Sequence, residues 1–172
     1  MSDTGPTRVP FDVESYTAAV TSGRGCFICR IAKGEEPTAS RHQVIYRDSE
    51  HFAFFNRFPT LAGYTLVAPL EHREQVVSDF TQEEYLRLQA LIHRVGRAMA
   101  KILTVERLYI LSLGSQQGNS HVHWHVAALP PGVPYHDQQF AALMAENGYL
   151  DIPDEDRDRL ADALRRSLEE GS

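Results

Sequence analysis

The stretch Gly118-Asn-Ser-His-Val-His-Trp-His-Val126 constrains this chain more than any other, because it alternates His121, His123 and His125 with Val122, Trp124 and Val126. Successive side chains of a strand point to opposite faces. An extended backbone therefore gathers three imidazoles on one face, with Cα atoms about 6.6 Å apart, and buries the apolar residues on the other. A half-buried strand with a merely solvated face needs only Ser, Thr, Lys or Glu at those positions. Three of the chain's eight histidines within five residues point instead to a functional site.

The rest of the chain limits what that site can serve. At 172 residues it can build one well-formed core, with 42% hydrophobic and 23% charged residues in the range of an ordinary globular protein. A net charge of -6 argues against a nucleic-acid or anionic-membrane partner, which calls for a basic face. A small anionic ligand stays open, since a few local donors hold a phosphate on an acidic protein. No run of 18 apolar residues suggests a membrane span, and residues 1–20 lack the basic start and apolar core of a secretory signal. A cytoplasmic location is expected. There, Cys26-Phe-Ile-Cys29 suggests a metal site or a redox pair before a disulfide.

Residues 1–11 are polar and carry Gly5, Pro6 and Pro10, which reads as a loose arm. Residues 12–22 predict a short helix ending before Gly23, and Cys26 to Ala32 a helical turn stopped by Gly34 and Pro37. Strands are expected over 42–47, 51–56, 64–68 and 107–113, and from the histidine stretch on to Leu129. Between them lies the clearest helix. Thr81 and Glu84 have capping-box spacing, and Tyr85, Leu88, Ile92, Val95, Met99 and Ile102 recur at helical intervals as a buried stripe. His93 falls off it, toward solvent. Residues 138–147 predict a helix stopped by Gly148, and Asp154–Glu170 a charge-rich helix with a solvated face. The fold class is α+β: a mainly antiparallel sheet of about five strands, covered on one face by the long helix, with helical terminal extensions.

With these residues in view, His121-Val-His-Trp-His-Val126 resembles the signature of the histidine triad (HIT) family of nucleotide-binding proteins. The likeness continues through Phe55-Asn-Arg-Phe-Pro-Thr-Leu-Ala-Gly-Tyr-Thr-Leu-Val-Ala-Pro-Leu-Glu-His72, most like the fragile histidine triad branch of dinucleoside polyphosphate hydrolases. Cys26-Phe-Ile-Cys-Arg-Ile-Ala-Lys-Gly34 is similar to the amino-terminal knuckle of bacterial members. The likeness spans roughly residues 26–130. It implies an arm at 1–22, the HIT domain at 23–133 and a helical extension at 134–172.

What the resemblance implies is hydrolysis or nucleotidyl transfer at an α-phosphate, through a nucleotidyl-histidine, with a purine nucleotide or dinucleotide as partner. His123 takes the place of the nucleophile, and a neutral imidazole suits that role near neutral pH. Its other nitrogen must then be fixed as a donor, with a backbone carbonyl as the expected partner. His125 would assist at the phosphate or leaving group. Asn56 would meet the ribose hydroxyls, an amide offering both donor and acceptor, or else cap a strand end. Gln117, Gly118, Asn119 and Ser120 would hold the phosphate. Members commonly place two residues between the Ser/Thr of this loop and the first triad histidine. Here His121 follows Ser120 directly, so the loop is tighter and which of its side chains touches phosphate is open.

By the same resemblance Cys26, Cys29, His72 and His121 would bind a structural zinc, since two thiolates and two imidazoles close a tetrahedral set. A magnesium ion accompanying a polyphosphate substrate stays open. The resemblance also implies a homodimer.

Overall fold

The computed structural model describes residues 7–23, 25–36 and 42–170, and its centre is a five-stranded antiparallel sheet in the order β2-β3-β4-β6-β5. The strands are β2 (Val44–Arg47), β3 (His51–Phe55), β4 (Thr65–Pro69), β5 (Arg107–Leu111) and β6 (Trp124–Leu129). Pro37 and residues 1–6 of the expected arm lie outside the described residues. Helices α1 (Val13–Thr21) and α2 (Phe27–Lys33) precede the sheet, and α3 (Gln82–Ile102) lies between β4 and β5. α3 begins where its sequence says it should. Thr81 accepts from the Glu84 backbone and Glu84 returns a bond to the Thr81 backbone, completing the capping box.

One sheet face carries Ala53, Phe55, Val67, Trp124, Val126 and Ala128 against Leu88, Leu91, Ile92, Val95 and Met99 of α3. α3 alone does not cover that face. The carboxy-terminal helix α5 (Asp154–Glu170) adds Ala161, Leu164 and Leu168 to the same core, and Arg157 is buried beneath it over the Phe55 ring. The charge-rich helix, expected to have a solvated face, is amphipathic at helical spacing, with its apolar stripe docked on α3 and β2.

The opposite face is covered too, by a layer beyond the long helix that was expected to cover one face. Phe52, Phe54, Leu66, Ala68, Ala127 and Leu129 pack there against Ile28 and Ile31 of α2, together with Leu61 and Tyr64. Burial from both sides explains why every residue of β3 and β4 is buried, with no polar alternation. The helical turn expected at 26–32 therefore does more than end a loop: it roofs the second face. Cys26 caps it through a sulfur that accepts the Cys29 N–H, and Gly34, at φ 72°, ends it in the left-handed conformation.

Two terminal details differ from expectation. β1 (Arg8–Val9), in the stretch expected as a loose arm, pairs antiparallel with β7 (Tyr149–Leu150). The helix expected over 138–147 shrinks to α4 (Phe140–Leu143), flanked by 3-10 turns, because Gln139 turns to positive φ and Met144 is extended. Four residues with one buried side chain cannot sustain a longer helix.

Candidate functional site

The histidine stretch is only partly a strand. Regular pairing of β6 begins at Trp124, and His125 sits between Leu66 of β4 and Leu111 of β5. Residues 121–123 lie before the ladder, where the Val122 N–H donates to the Arg73 carbonyl at 2.7 Å. The three imidazoles consequently do not form one row. The His123 and His125 rings lie 4.9 Å apart, whereas His121 pairs with His72 at 4.8 Å.

His121 belongs to a four-residue cluster with Cys26, Cys29 and His72, whose ligand atoms all lie within 4.8 Å of one another. The sulfur-to-nitrogen distances are 3.4 Å for Cys26–His121, 3.5 Å for Cys29–His121 and 3.3 Å for Cys29–His72. A tetrahedral zinc with ordinary Zn–S and Zn–N bonds sets such edges at about 3.6 Å. The donors are also correctly turned. His121 Nε2 meets the Pro69 carbonyl at 3.0 Å, and a carbonyl only accepts, so Nδ1 keeps its lone pair for the sulfurs' side. His72 Nε2 likewise meets Glu74 at 3.0 Å and presents Nδ1. These outer partners orient metal-binding imidazoles. Burial, followed by neighbouring Cys26, pushes the Cys29 thiol up to about 11, so a bound cation is what would hold that sulfur as a thiolate. The residues fit a structural zinc.

His123 is arranged in the opposite sense. Its Nδ1 lies 2.7 Å from the His121 carbonyl, so Nδ1 carries the proton and Nε2 the lone pair. Among the described residues nothing bonds Nε2. Burial lowers the His123 pKa and holds the ring neutral. Burial, then the neighbouring His123, also pushes His125 down to about 4. The Tyr64 hydroxyl lies 3.0 Å from His125 Nδ1, and Tyr64 keeps its proton because burial pushes it up to about 12. The site therefore offers an uncharged nucleophilic nitrogen beside a second neutral imidazole.

Three contributors escape a sequence reading. Tyr64 looked like the first residue of an ordinary strand, and only the β4–β6 register brings it to His125. Ser112 follows the end of β5 and donates to the His123 carbonyl at 2.8 Å. Glu74 accepts from both His72 and Ser120, at 3.0 and 2.9 Å, and so joins the metal cluster to the loop before the triad. Its only signal is the His-x-Glu spacing after Pro69.

The loop residues are divided between partners. Gln117 is exposed. Gly118 lies under Val20 of α1. Asn119, at φ 57°, donates through Nδ2 to the Tyr16 hydroxyl at 3.0 Å. Ser120 is held by Glu74. A cavity of about 410 Å³ beside them is lined by Glu74, Ser112, Ser115, Gln116, Ser120 and His123. Asn56, across the site, caps the turn after β3: its Oδ1 accepts the Phe58 N–H at 3.0 Å. That leaves its Nδ2 hydrogens without a protein partner among the described residues.

Residues 38–131 match the HIT domain family. Uncharacterized HIT-like proteins of Saccharolobus solfataricus and Borreliella burgdorferi are 26% and 30% identical over 104 and 105 residues; each alignment covers 59% of this chain, and 71% and 73% of those proteins. Among solved structures, a Zn-bound histidine triad family protein of Mycobacterium smegmatis superposes with a TM-score of 0.63 at 23% identity, covering 87% of this chain and 96% of that one. A hypothetical histidine triad nucleotide-binding protein of Sulfolobus tokodaii does so with a TM-score of 0.66 at 20% identity, covering 84% and 93%. The match spans more than half of the chain and includes the whole histidine stretch, and the fold agrees: this protein belongs to the HIT domain family.

Proposed function

We propose that the protein cleaves nucleoside 5′-phosphate derivatives at the α-phosphate through a covalent intermediate on His123. The carrying observation is the His123 tautomer, with Nδ1–H spent on the His121 carbonyl and Nε2 unpaired beside His125. Nε2 attacks phosphorus while the bond to the leaving group breaks. The leaving atom takes a proton from solvent, with the neutral His125 ring beside it as a hydrogen-bond partner. Water, phosphate or another acceptor then attacks the nucleotidyl-His123, releasing the product and restoring the neutral imidazole. With water the product is a nucleoside monophosphate.

Asn56 would hold the ribose through its unpaired amide, and Ser120 and its neighbours the phosphate. Zinc at Cys26, Cys29, His72 and His121 would supply rigidity: it ties α2 to the segment that presents His123, and no step of the reaction passes through it. Two free cysteines in that cluster suit a reducing, cytoplasmic compartment. Among the described residues no helix is long and apolar enough to cross a membrane. A homodimer is supported by the edge position of β5, where Ile110 is 47% exposed and Leu113 just beyond it 58%.

The test is a panel of diadenosine tri- and tetraphosphate, adenosine phosphoramidate, adenylylated lysine and adenosine phosphosulfate, each with and without magnesium. A nucleoside monophosphate should be released from at least one. Mass spectrometry should trap the nucleotidylated chain in the wild type and not in His123→Ala. Release that persists in His123→Ala would sink this mechanism.

A further inference from the structure

Helix α1 lies outside residues 38–131, the stretch that matches the HIT domain family. It has no buried residue, and only Tyr16 and Val20, one turn apart on a single face, are even half-buried. Both meet the loop before the triad. The Tyr16 hydroxyl accepts from Asn119 Nδ2 at 3.0 Å. Val20 Cγ1 fills the space a Cβ at Gly118 would need, so only glycine allows the helix this close.

The other end of this contact reaches the opposite side of the site. The Tyr16 and Phe11 rings meet Phe58 edge to face at 6.0 and 5.0 Å, and Phe58 meets Tyr149 in the same way at 5.1 Å. Phe58 is the residue whose N–H is fixed by Asn56. α1 thus bridges from the Asn56 turn to the Gly118–Asn119 loop, the two flanks between which a nucleotide is proposed to lie. Gly23 and Gly25, after its carboxy-terminal end, stand at φ 73° and 76° with open space around them.

We infer that α1 is a strap across the nucleotide site, tied down ahead of Phe11 by the β1–β7 pair and latched by the Tyr16–Asn119 hydrogen bond, which parts from the Gly118–Asn119 loop to admit a nucleotide and closes again over it. This rests on the nucleotide reading above. Beyond the β1–β7 pair that anchors its amino-terminal side, α1 is held by one hydrogen bond, one apolar contact and an aromatic cluster, so it opens more readily than a helix of the core. Lifting it frees the Asn119 amide for the ligand.

The experiment uses the full chain with AMP as probe. Hydrogen exchange of residues 13–21 without ligand should quicken in Tyr16→Phe, which keeps the ring cluster and loses the latch. It should quicken in Gly118→Ala, whose new methyl displaces Val20, and return toward wild type in Gly118→Ala/Val20→Ala. Stopped-flow binding of AMP should then show association and dissociation both faster in Tyr16→Phe, by about two- to tenfold, the range one net hydrogen bond allows. The dissociation constant should barely move, a pattern that damage to the site would not give. Equal rates in wild type and Tyr16→Phe, with AMP bound normally, overturn the strap and leave the nucleotide reading standing. Failure of the wild-type chain to bind AMP overturns the nucleotide reading and the strap's role with it.

Discussion

His121 and His123 are held in opposite tautomers by two backbone carbonyls. Pro69 takes the Nε2 proton of His121 at 3.0 Å, and the carbonyl of His121 itself takes the Nδ1 proton of His123 at 2.7 Å. One ring therefore offers Nδ1 toward the cysteines, and the other offers Nε2 away from them. Two residues of the same type, two positions apart, are thereby suited to different tasks, metal binding and nucleophilic attack, without any difference in their own chemistry.

If His123 is the nucleophile, His123→Ala should lower turnover by at least about a thousandfold, because no group replaces the covalent step. AMP binding should persist within a few-fold. In the wild type the acid limb of kcat/KM should lie below the ordinary imidazole range, since burial lowers the His123 pKa and keeps Nε2 unprotonated. A limb at an unshifted imidazole value would contradict this.

Tyr64 positions His125 through one buried bond, so Tyr64→Phe should keep the fold and lose kcat with little change in KM. The hydroxyl is 3.0 Å from Nδ1, and a single neutral hydrogen bond is worth about 0.5–1.5 kcal/mol. A drop in kcat of about two- to tenfold follows, readable in steady-state kinetics alongside an unchanged melting curve. An unchanged kcat would remove Tyr64 from the site.

The Cys26, Cys29, His72 and His121 cluster should bind one zinc per chain. Cobalt substitution should give the thiolate-to-metal absorption of a tetrahedral sulfur and nitrogen site, and Cys29→Ser should abolish it. Removing zinc with a chelator should lower the melting temperature, since a ligand held at a hundred times its dissociation constant stabilises by about 2.7 kcal/mol. Affinity should rise with pH, because loading displaces the Cys29 proton that burial and Cys26 hold up to about 11. Protein that melts identically with and without chelator would refute a structural role.

Burial pushes both His125 and His42 down to about 4. Unfolded, each binds a proton as pH falls through its ordinary value of about 6.5; folded, each stays neutral to about 4. The unfolded chain thus binds more protons across that window, and stability falls as the pH drops from about 6.5 toward 4. The melting temperature should decline steadily on acidification over this range. His42→Phe, which can keep the stack on Phe27 at 5.6 Å, should flatten part of the decline. A melting temperature indifferent to pH there would rule out neutral burial of these rings.

Local patterns already determined much of this protein. Capping-box spacing and a helical stripe located α3, because a helix end and a buried face each need particular residue types at fixed intervals. Alternation in 121–126 located the first residues of β6 and the apolar face that Trp124 and Val126 bury. Cys26, Cys29, His72 and His121 come together as the family resemblance implied, which residue types and spacing alone did not dictate. The tertiary structure alone decided the rest. The second helical layer, the docking of α5, the β1–β7 pair and the meeting of Tyr64 with His125 join residues far apart in the chain. The strand periodicity of 121–125 was itself misleading at its start, because the chain leaves the ladder before Trp124. Which nitrogen of each histidine carries the proton depends on a carbonyl brought in by the fold, Pro69 from 52 residues away for His121. Periodicity records which face a side chain prefers; the partner that fixes its proton is a matter of three-dimensional packing.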